Sequence, residues 1–347
     1  MIEILFYILI GCGIGFAASL VPGLNSNNLT PVLLGLGIIA SQQNFVVVII
    51  AIEISYSFFE FLAPILFGIS GDMAALAIDQ EQFFVVKGLV EKAVKTLVMG
   101  GLVGIALSLP LFLIAQRIYP VVYSSLSPIA SWIMIVVCAY MFWREKTWKG
   151  RLFSLAIFIL SGMLGLLIKD SGFLPTNYMM PIFIGLFSFS HLLSREREEK
   201  NVASDLRKDE KVRILSVSFL AAAFASLIPK MKKSQAAAIA MQAGGIRQNE
   251  EVLLALSSLS SAFATLSILV LGSTGIARNN IAYDIQDLFG AINTSQTLLF
   301  LGTIAISTCL TACMMLALSK PLSKNLNRIN RKYMKAFGFC LGCALIV

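Results

Sequence analysis

Residues 20–35 read "LVPGLNSNNLTPVLLG". They follow an apolar run, 2–21, that is long enough to cross a bilayer, which takes about 20 residues. Two prolines, two glycines, Asn25, Ser26, Asn27, Asn28 and Thr30 then interrupt what could have been a continuous hydrophobic helix. Pro22 cannot continue a helix and Gly23 permits a sharp turn. One of the four polar residues that follow can cap a new helix. Four exceed what one cap needs, so the segment reads either as a capped re-entrant turn or as a ligand site built on one.

The rest of the chain supports a membrane setting for this break. Of 347 residues, 57% are hydrophobic and only 13% charged, where a soluble domain carries about 25% charged residues. Apolar segments recur near 2–21, 24–40, 44–69, 97–118, 121–143, 152–168, 177–193, 213–229, 234–245, 251–272, 276–292 and 296–319. The expected fold is an all-α polytopic membrane protein with broken or re-entrant helices. No basic stretch precedes residues 2–21, so the run reads as a retained span rather than a cleaved leader. The net charge of +8 sits in loops, where topology explains it without nucleic acid.

Three basic loops, 144–151, 194–213 and 320–335, belong on the cytoplasmic side of the cell membrane. Residues 81–96 carry Glu81, Lys87, Glu91, Lys92 and Lys95 and read as a surface amphipathic helix on the same side. An internal repeat is visible. Ala17–Asn28 lies under Phe224–Gln235, matching Ala18, Ser19, Leu20 and Pro22 to Ala225, Ser226, Leu227 and Pro229. Further on, Leu66–Gly71 sits against Val270–Gly275 at nearly the same offset. Counting spans starts the first copy outside and the second inside, so the copies are expected to be inverted. The expected division is a first repeat over 1–120, connecting helices over 121–193, a charged linker over 194–212, and a second repeat with the C-terminal segment over 213–347. Inverted repeats with broken helices are a signature of secondary transporters.

Glu53, Ser57, Glu60 and Pro64 share one helix face. A carboxylate at bilayer depth costs about 2.5–3.5 kcal/mol or more unless protonated or paired. The two glutamates therefore read as lining a wet cavity or proton relay, or as a structural pair bonded to hydroxyls or lysine. Asp72 follows the first Gly turn; Arg278 and Asp284 follow the second. These five are the candidate ion-coupling residues. Substrate candidates are Pro22, Gly23, Asn25, Ser26, Asn27, Asn28, Pro229, Lys230, Ser234 and Gln235. In "PKMKKSQ", Pro229 to Gln235, three lysines crowd a helix start, where positive charge is disfavoured. Either they form a hydrated loop or they face an anion, such as a substrate or Glu53 and Glu60. Lys230, nearest the break, is the expected ligand-facing member. No Walker A motif appears, and His191 is the only histidine. Asp284 and Asp287 make one acidic pair where membrane prenyltransferases need two. No catalytic residue, metal or cofactor is expected.

These residues resemble a known family. "SLVPGLNSNNLTPVLL", "GISGDMAALAI", "KGLVEKAVKTLVMGGLVG", "SLIPKMKKSQAAAIA" and the terminal "LSKPLSKNLNRINRKYMKAFG" together are similar to the large membrane subunit of tripartite tricarboxylate transporters, a TctA-like permease of the archaeal-type branch. The resemblance implies a carboxylate permease driven by H⁺ or Na⁺. It places substrate between Pro22, Gly23, Asn27 and Asn28 and Pro229, Ser234 and Gln235. It also implies a small membrane subunit and a solute-binding protein as partners; a homodimer is a further assembly to consider. The chain departs from the pattern at Lys230, where the family has Gly. Translocases of polyprenyl-phosphate carrier lipids share the general look, so a lipid phosphate is the alternative cargo.

Overall fold

The computed structural model describes residues 2–21, 41–68, 73–145, 147–170, 206–228, 231–277, 279–290 and 292–326, with residue 33 and the pair 185–186. Among them the chain is helical and without strands. In order come α1 (Ile2–Ser19), α2 (Gln42–Phe59), α3 (Leu62–Phe67), a 3₁₀ turn (Ala74–Leu76), α4 (Ile78–Val86), α5 (Val90–Ser108), α6 (Leu111–Leu126) and α7 (Ala130–Arg144). Then come α8 (Trp148–Asp170), α9 (Lys208–Leu227), α10 (Lys233–Gly244), α11 (Asn249–Thr274), α12 (Asn280–Phe289) and α13 (Thr294–Leu326). Among the described residues six stretches are long and apolar enough to cross a membrane: Ile2–Ser19, Gln42–Phe59, Arg117–Arg144, Trp148–Leu167, Asn249–Thr274 and Ser295–Leu326.

The sequence-based expectations need two corrections. Residues 81–96 are not one surface helix. They are the end of α4, a turn with Gly88 at φ 70°, and the start of α5. Glu81 points inward rather than to solvent. The second repeat match also moves by three residues. Gly68 closes α3 in the left-handed conformation (φ 67°, ψ 20°), and Gly275 closes α11 the same way (φ 67°, ψ 15°). Gly68 therefore stands with Gly275, because both supply the same helix-ending turn that a side chain resists. Adding 207 to each number carries Gly68 to Gly275 and Gln42, which starts α2, to Asn249, which starts α11. The same step carries Ser19 to Ser226. Both serines are buried near the end of a helix and donate to the carbonyl three residues back, Phe16 O at 2.7 Å and Ala223 O at 2.8 Å.

The core is built around α11, which is buried from Asn249 to Leu271, with α2 nearly as covered. Small residues let backbones approach where lipid supplies no hydrophobic drive between helices. Gly100 and Gly104 of α5 lie against Leu254, Ser257, Ser258 and Ser261 of α11. Ser261 Oγ donates to Gly101 O at 3.1 Å and to Ser257 O at 2.8 Å, so the serine ladder serves packing. Gly11 and Gly15 of α1 lie against Val48, Ala51, Ile52 and Ser55 of α2, and Ser55 Oγ donates to Cys12 O at 2.9 Å. By contrast, α7 and α8 expose large apolar side chains such as Trp132, Phe153 and Leu167. Helices of that composition are at home against hydrocarbon.

Contact order fixes helix direction. Gly11 then Gly15 meet Val48 then Ser55, so α1 and α2 run together. Gly100 then Gly104 meet Leu254 then Ser261, so α5 and α11 run together. Going backward on α2 from Glu60 to Glu53 moves forward from Ser260 to Asn279, so α2 and α11 run oppositely. Arg213 reaches Glu251 at 3.5 Å, and Lys233, just past the end of α9, reaches Ser260; α9 therefore follows α11. The end at which α5, α9 and α11 begin gathers Lys92, Lys95, Lys211 and Arg213. Arg144 also lies there, donating to Gln242 O at 2.8 Å near the end of α10. A basic end of this kind marks the cytoplasmic face.

Candidate functional site

The candidate site forms where α10 begins. Its N-cap backbone is extended at Lys232 (φ −91°, ψ 156°), and the Lys232 N–H donates to Gln235 Oε1 at 3.1 Å. Gln235, read from the sequence as a ligand contact, is thus engaged as a cap. Ser234 is half-buried beside it. One residue on, Lys233 turns inward. Its Nζ donates to both oxygens of Glu60, each at 2.9 Å, and to Ser260 Oγ at 3.1 Å. Ser260 Oγ donates in turn to Glu60 Oε1. The Tyr56 ring lies beneath the ammonium, its centroid 5.8 Å away, a cation–π contact that eases desolvation.

Why these groups meet is a matter of register. Glu60 is the C-cap of α2, where the helix breaks before α3. Ser260 sits near the middle of the 26 residues of α11, so the cluster lies well away from either membrane face. Glu60 is only 6% exposed. Charged groups at such depth need a partner, and here the partner comes from the other half of the chain, 173 positions on. The sequence singled out the lysine cluster and Glu60, and named Glu60 as a conceivable partner of the lysines. It favoured Lys230, which lies outside the described residues. The member that reaches the carboxylate is Lys233, because the helix starting after Lys232 turns that side chain toward α2 and α11.

Glu53 lies one helical stretch away and is buried. Asn279 Nδ2 donates to its Oε1 at 3.3 Å, while Asn279 Oδ1 caps α12 by accepting from Ala282 N at 2.8 Å. Glu60 and Glu53 are therefore two separate anchors, one answered by α10 and the other by the start of α12. Asp284 is half-buried on α12. Pro22, Gly23, Asn25, Ser26, Asn27, Asn28, Asp72, Pro229, Lys230 and Arg278 lie outside the described residues.

One residue was missed in the sequence. Glu81 on α4 is fully buried, and neither carboxyl oxygen has a hydrogen-bond partner among the described residues. The helix that carries it, Ile78–Val86, is none of the six long spans. Desolvation, with the Glu60 carboxylate as a second cause, pushes its pKa well above the ordinary glutamate value. Its neighbours Lys87 and Asp79 are exposed, which gave the stretch its surface look. A cleft of about 540 Å³ opens elsewhere, at the basic end beside Lys92, Lys95, Lys211 and Glu250. Lys92 and Lys95 are held there by Glu250 and Glu91, at 2.8 and 2.7 Å, so we centre the site on Glu60 and Lys233 instead.

Comparison with known proteins gives the family. The sequence model of the tripartite tricarboxylate transporter TctA family matches residues 5–347. An uncharacterized protein of Methanocaldococcus jannaschii is 23% identical over 352 residues, covering 99% of this chain and 86% of that protein. No solved structure matches.

Proposed function

The chain belongs to the tripartite tricarboxylate transporter TctA family, and we propose that it is the permease that moves a di- or tricarboxylate by alternating access between two inverted halves. Family membership makes it a multi-pass membrane component of a transport system rather than a member of an enzyme family. The substrate, the driving ion and the inverted halves belong to the proposal.

The observation that carries it is helix direction. In the first half α1 and α2 run one way and α5 runs back; in the second half α9 and α11 run with α5. The long helix α13 returns beside α11: Thr297 near its start lies by Gly272, and Ser323 near its end lies by Lys92 and Lys95. A half-turn about an axis in the membrane plane exchanges such sets. It also brings the start of α10, with its partly positive N–H groups, toward mid-depth opposite the first half. That is where transporters of this design hold anionic substrates. Lys232 and Gln235 are exposed there, which supports an opening to water. We place the substrate between the Pro22–Asn28 break and the Pro229–Gln235 break, with Lys230 facing the anion. A proton or sodium ion would drive uptake, in company with a small membrane subunit and a solute-binding protein.

The test is uptake of a labelled di- and tricarboxylate panel into proteoliposomes, with a polyprenyl-phosphate flip assay on the same preparation. Saturable uptake of a carboxylate, with KM raised several-fold by Lys230→Gln, supports the proposal. Lipid flipping without carboxylate uptake overturns it in favour of a carrier-lipid translocase.

A further inference from the structure

The Glu60–Lys233 pair leaves a second carboxyl group unanswered. Glu81 has 0% exposure and no hydrogen-bond partner for either oxygen among the described residues, and Glu60 is its charged neighbour. The elements packed on α4 are α3, α5, α11 and the 3₁₀ turn. Gln82, next in sequence to Glu81, donates to Pro64 O of α3, which seats this part of α4 close behind the Glu60 break. Neither α3 nor the 3₁₀ turn carries an ionisable side chain. The charges of α11 lie in its first turn, where Glu250 holds Lys92 and Glu251 accepts from Arg213. Those of α5 are Glu91, Lys92 and Lys95; Lys95 bonds Glu91 at 2.7 Å. On α4 itself Asp79 is exposed, and the flanking Lys87 is exposed over the Phe83 ring. Among the described residues the cation at this cluster is Lys233, whose ammonium already donates to both oxygens of Glu60.

A bare carboxylate in such a place would cost more than any interaction on hand repays, and buried groups of this kind neutralise instead. We propose that Glu81 is a proton-binding site, one that holds its proton more tightly when Lys233 leaves Glu60. The proposal rests on the permease reading and names the ion for it. With Glu81 neutral, Lys233 belongs to Glu60 and α10 is tied to α2. Loss of the proton puts a second negative charge beside Glu60, so the two carboxylates together hold Lys233 more tightly against an incoming anion. Conversely, any anion that draws Lys233 away leaves Glu60 needing a proton or a new partner. Each event changes the free energy of the other by the same amount, which is what coupling between an ion and a cargo requires. Glu81 also lies on the segment running from the Glu60 break toward the basic end, since α4 leads directly into α5 and Lys92. The proton would therefore exchange with the cytoplasmic side.

The experiment uses the full chain purified in detergent, with no substrate added. Infrared difference spectra are recorded as pH is raised from the acidic side. The native protein should show the carbonyl stretch of a protonated carboxylic acid persisting at neutral pH. Glu81→Gln should abolish that band, and Glu60→Gln should keep it but move its loss to lower pH, because the Glu60 charge that favours the proton is gone. In parallel, thermal midpoints are measured across the same range. A carboxyl whose folded pKa is raised stabilises the fold at low pH, and that stability is lost as pH rises through the folded value. The native midpoint should thus fall with rising pH above the ordinary carboxylate range, while that of Glu81→Gln stays flatter. Absence of the band at neutral pH, its persistence in Glu81→Gln, or identical pH profiles for the two proteins would each overturn the proposal. Carboxylate uptake is scored separately on the same variants. Failed uptake with the band present sinks the permease reading and leaves the proton site; intact uptake without the band does the reverse.

Discussion

Replacing Lys233 by Met removes one side of a deeply buried ion pair and takes from both Glu60 oxygens the ammonium they accept from, leaving Ser260 Oγ donating to Oε1. Breaking a buried pair by deleting one partner costs about 3–5 kcal/mol, because the surviving charge stays desolvated. The Lys233 side chain keeps 21% of its surface exposed against 5% for Glu60, so water screens it in part and the lower end, about 3 kcal/mol, applies. For chains of 150–250 residues 1 kcal/mol moves the thermal midpoint by about 2–4 °C, and by somewhat less in larger proteins. Lys233→Met should therefore lower the midpoint in detergent by about 5–8 °C at neutral pH. Glu60→Met, which strands the lysine instead, should cost about the same. The double variant strands neither charge and should recover most of the loss, since apolar replacement of a whole buried pair is often close to neutral. The coupling energy from the cycle should be about 2 kcal/mol or more in magnitude. Additivity of the two single effects within about 0.5 kcal/mol would refute the argument that this pair is a mutually dependent buried unit.

Two further predictions follow from packing and topology. A Cβ added at Gly104 would meet Ser258 O and stand 2.7 Å from Ser261 Oγ, so Gly104→Leu should push α5 off α11 and cost at least about 2–3 kcal/mol. Gly162→Leu on α8, where a Cβ meets nothing within 4 Å, should leave the thermal midpoint nearly unchanged. If the helix directions are right, a cysteine placed at Ser41 and one placed at Ser323, each in a background without the native cysteines, should react with a membrane-impermeant thiol reagent from opposite faces of oriented vesicles. Labelling of both from one face would contradict the inverted arrangement.

The sequence by itself determined the membrane setting and the helical class, because apolar runs of bilayer length with few charges have no stable alternative in lipid. It also offered a repeat to propose, through the match of Ser19–Pro22 to Ser226–Pro229, since a helix break needs particular residues and leaves them legible. It placed Glu53 and Glu60 on one face by spacing alone. What it could not supply was pairing. The lysine that meets Glu60 is chosen by where α10 starts to turn, and a difference of one residue rotates a helical side chain by about 100°; Lys230, Lys232 and Lys233 look equivalent until that phase is known. The glycine match was misplaced by three residues for a related reason: "GISG" and "GSTG" each offer two glycines, and only backbone torsion shows which one ends the helix. Glu81 was hidden most completely. Its neighbours Asp79 and Lys87 are solvated, so the stretch has the composition of a surface helix. Only the stacking of α3, α5 and α11 around nine residues removes that one carboxyl group from water and sets it beside Glu60.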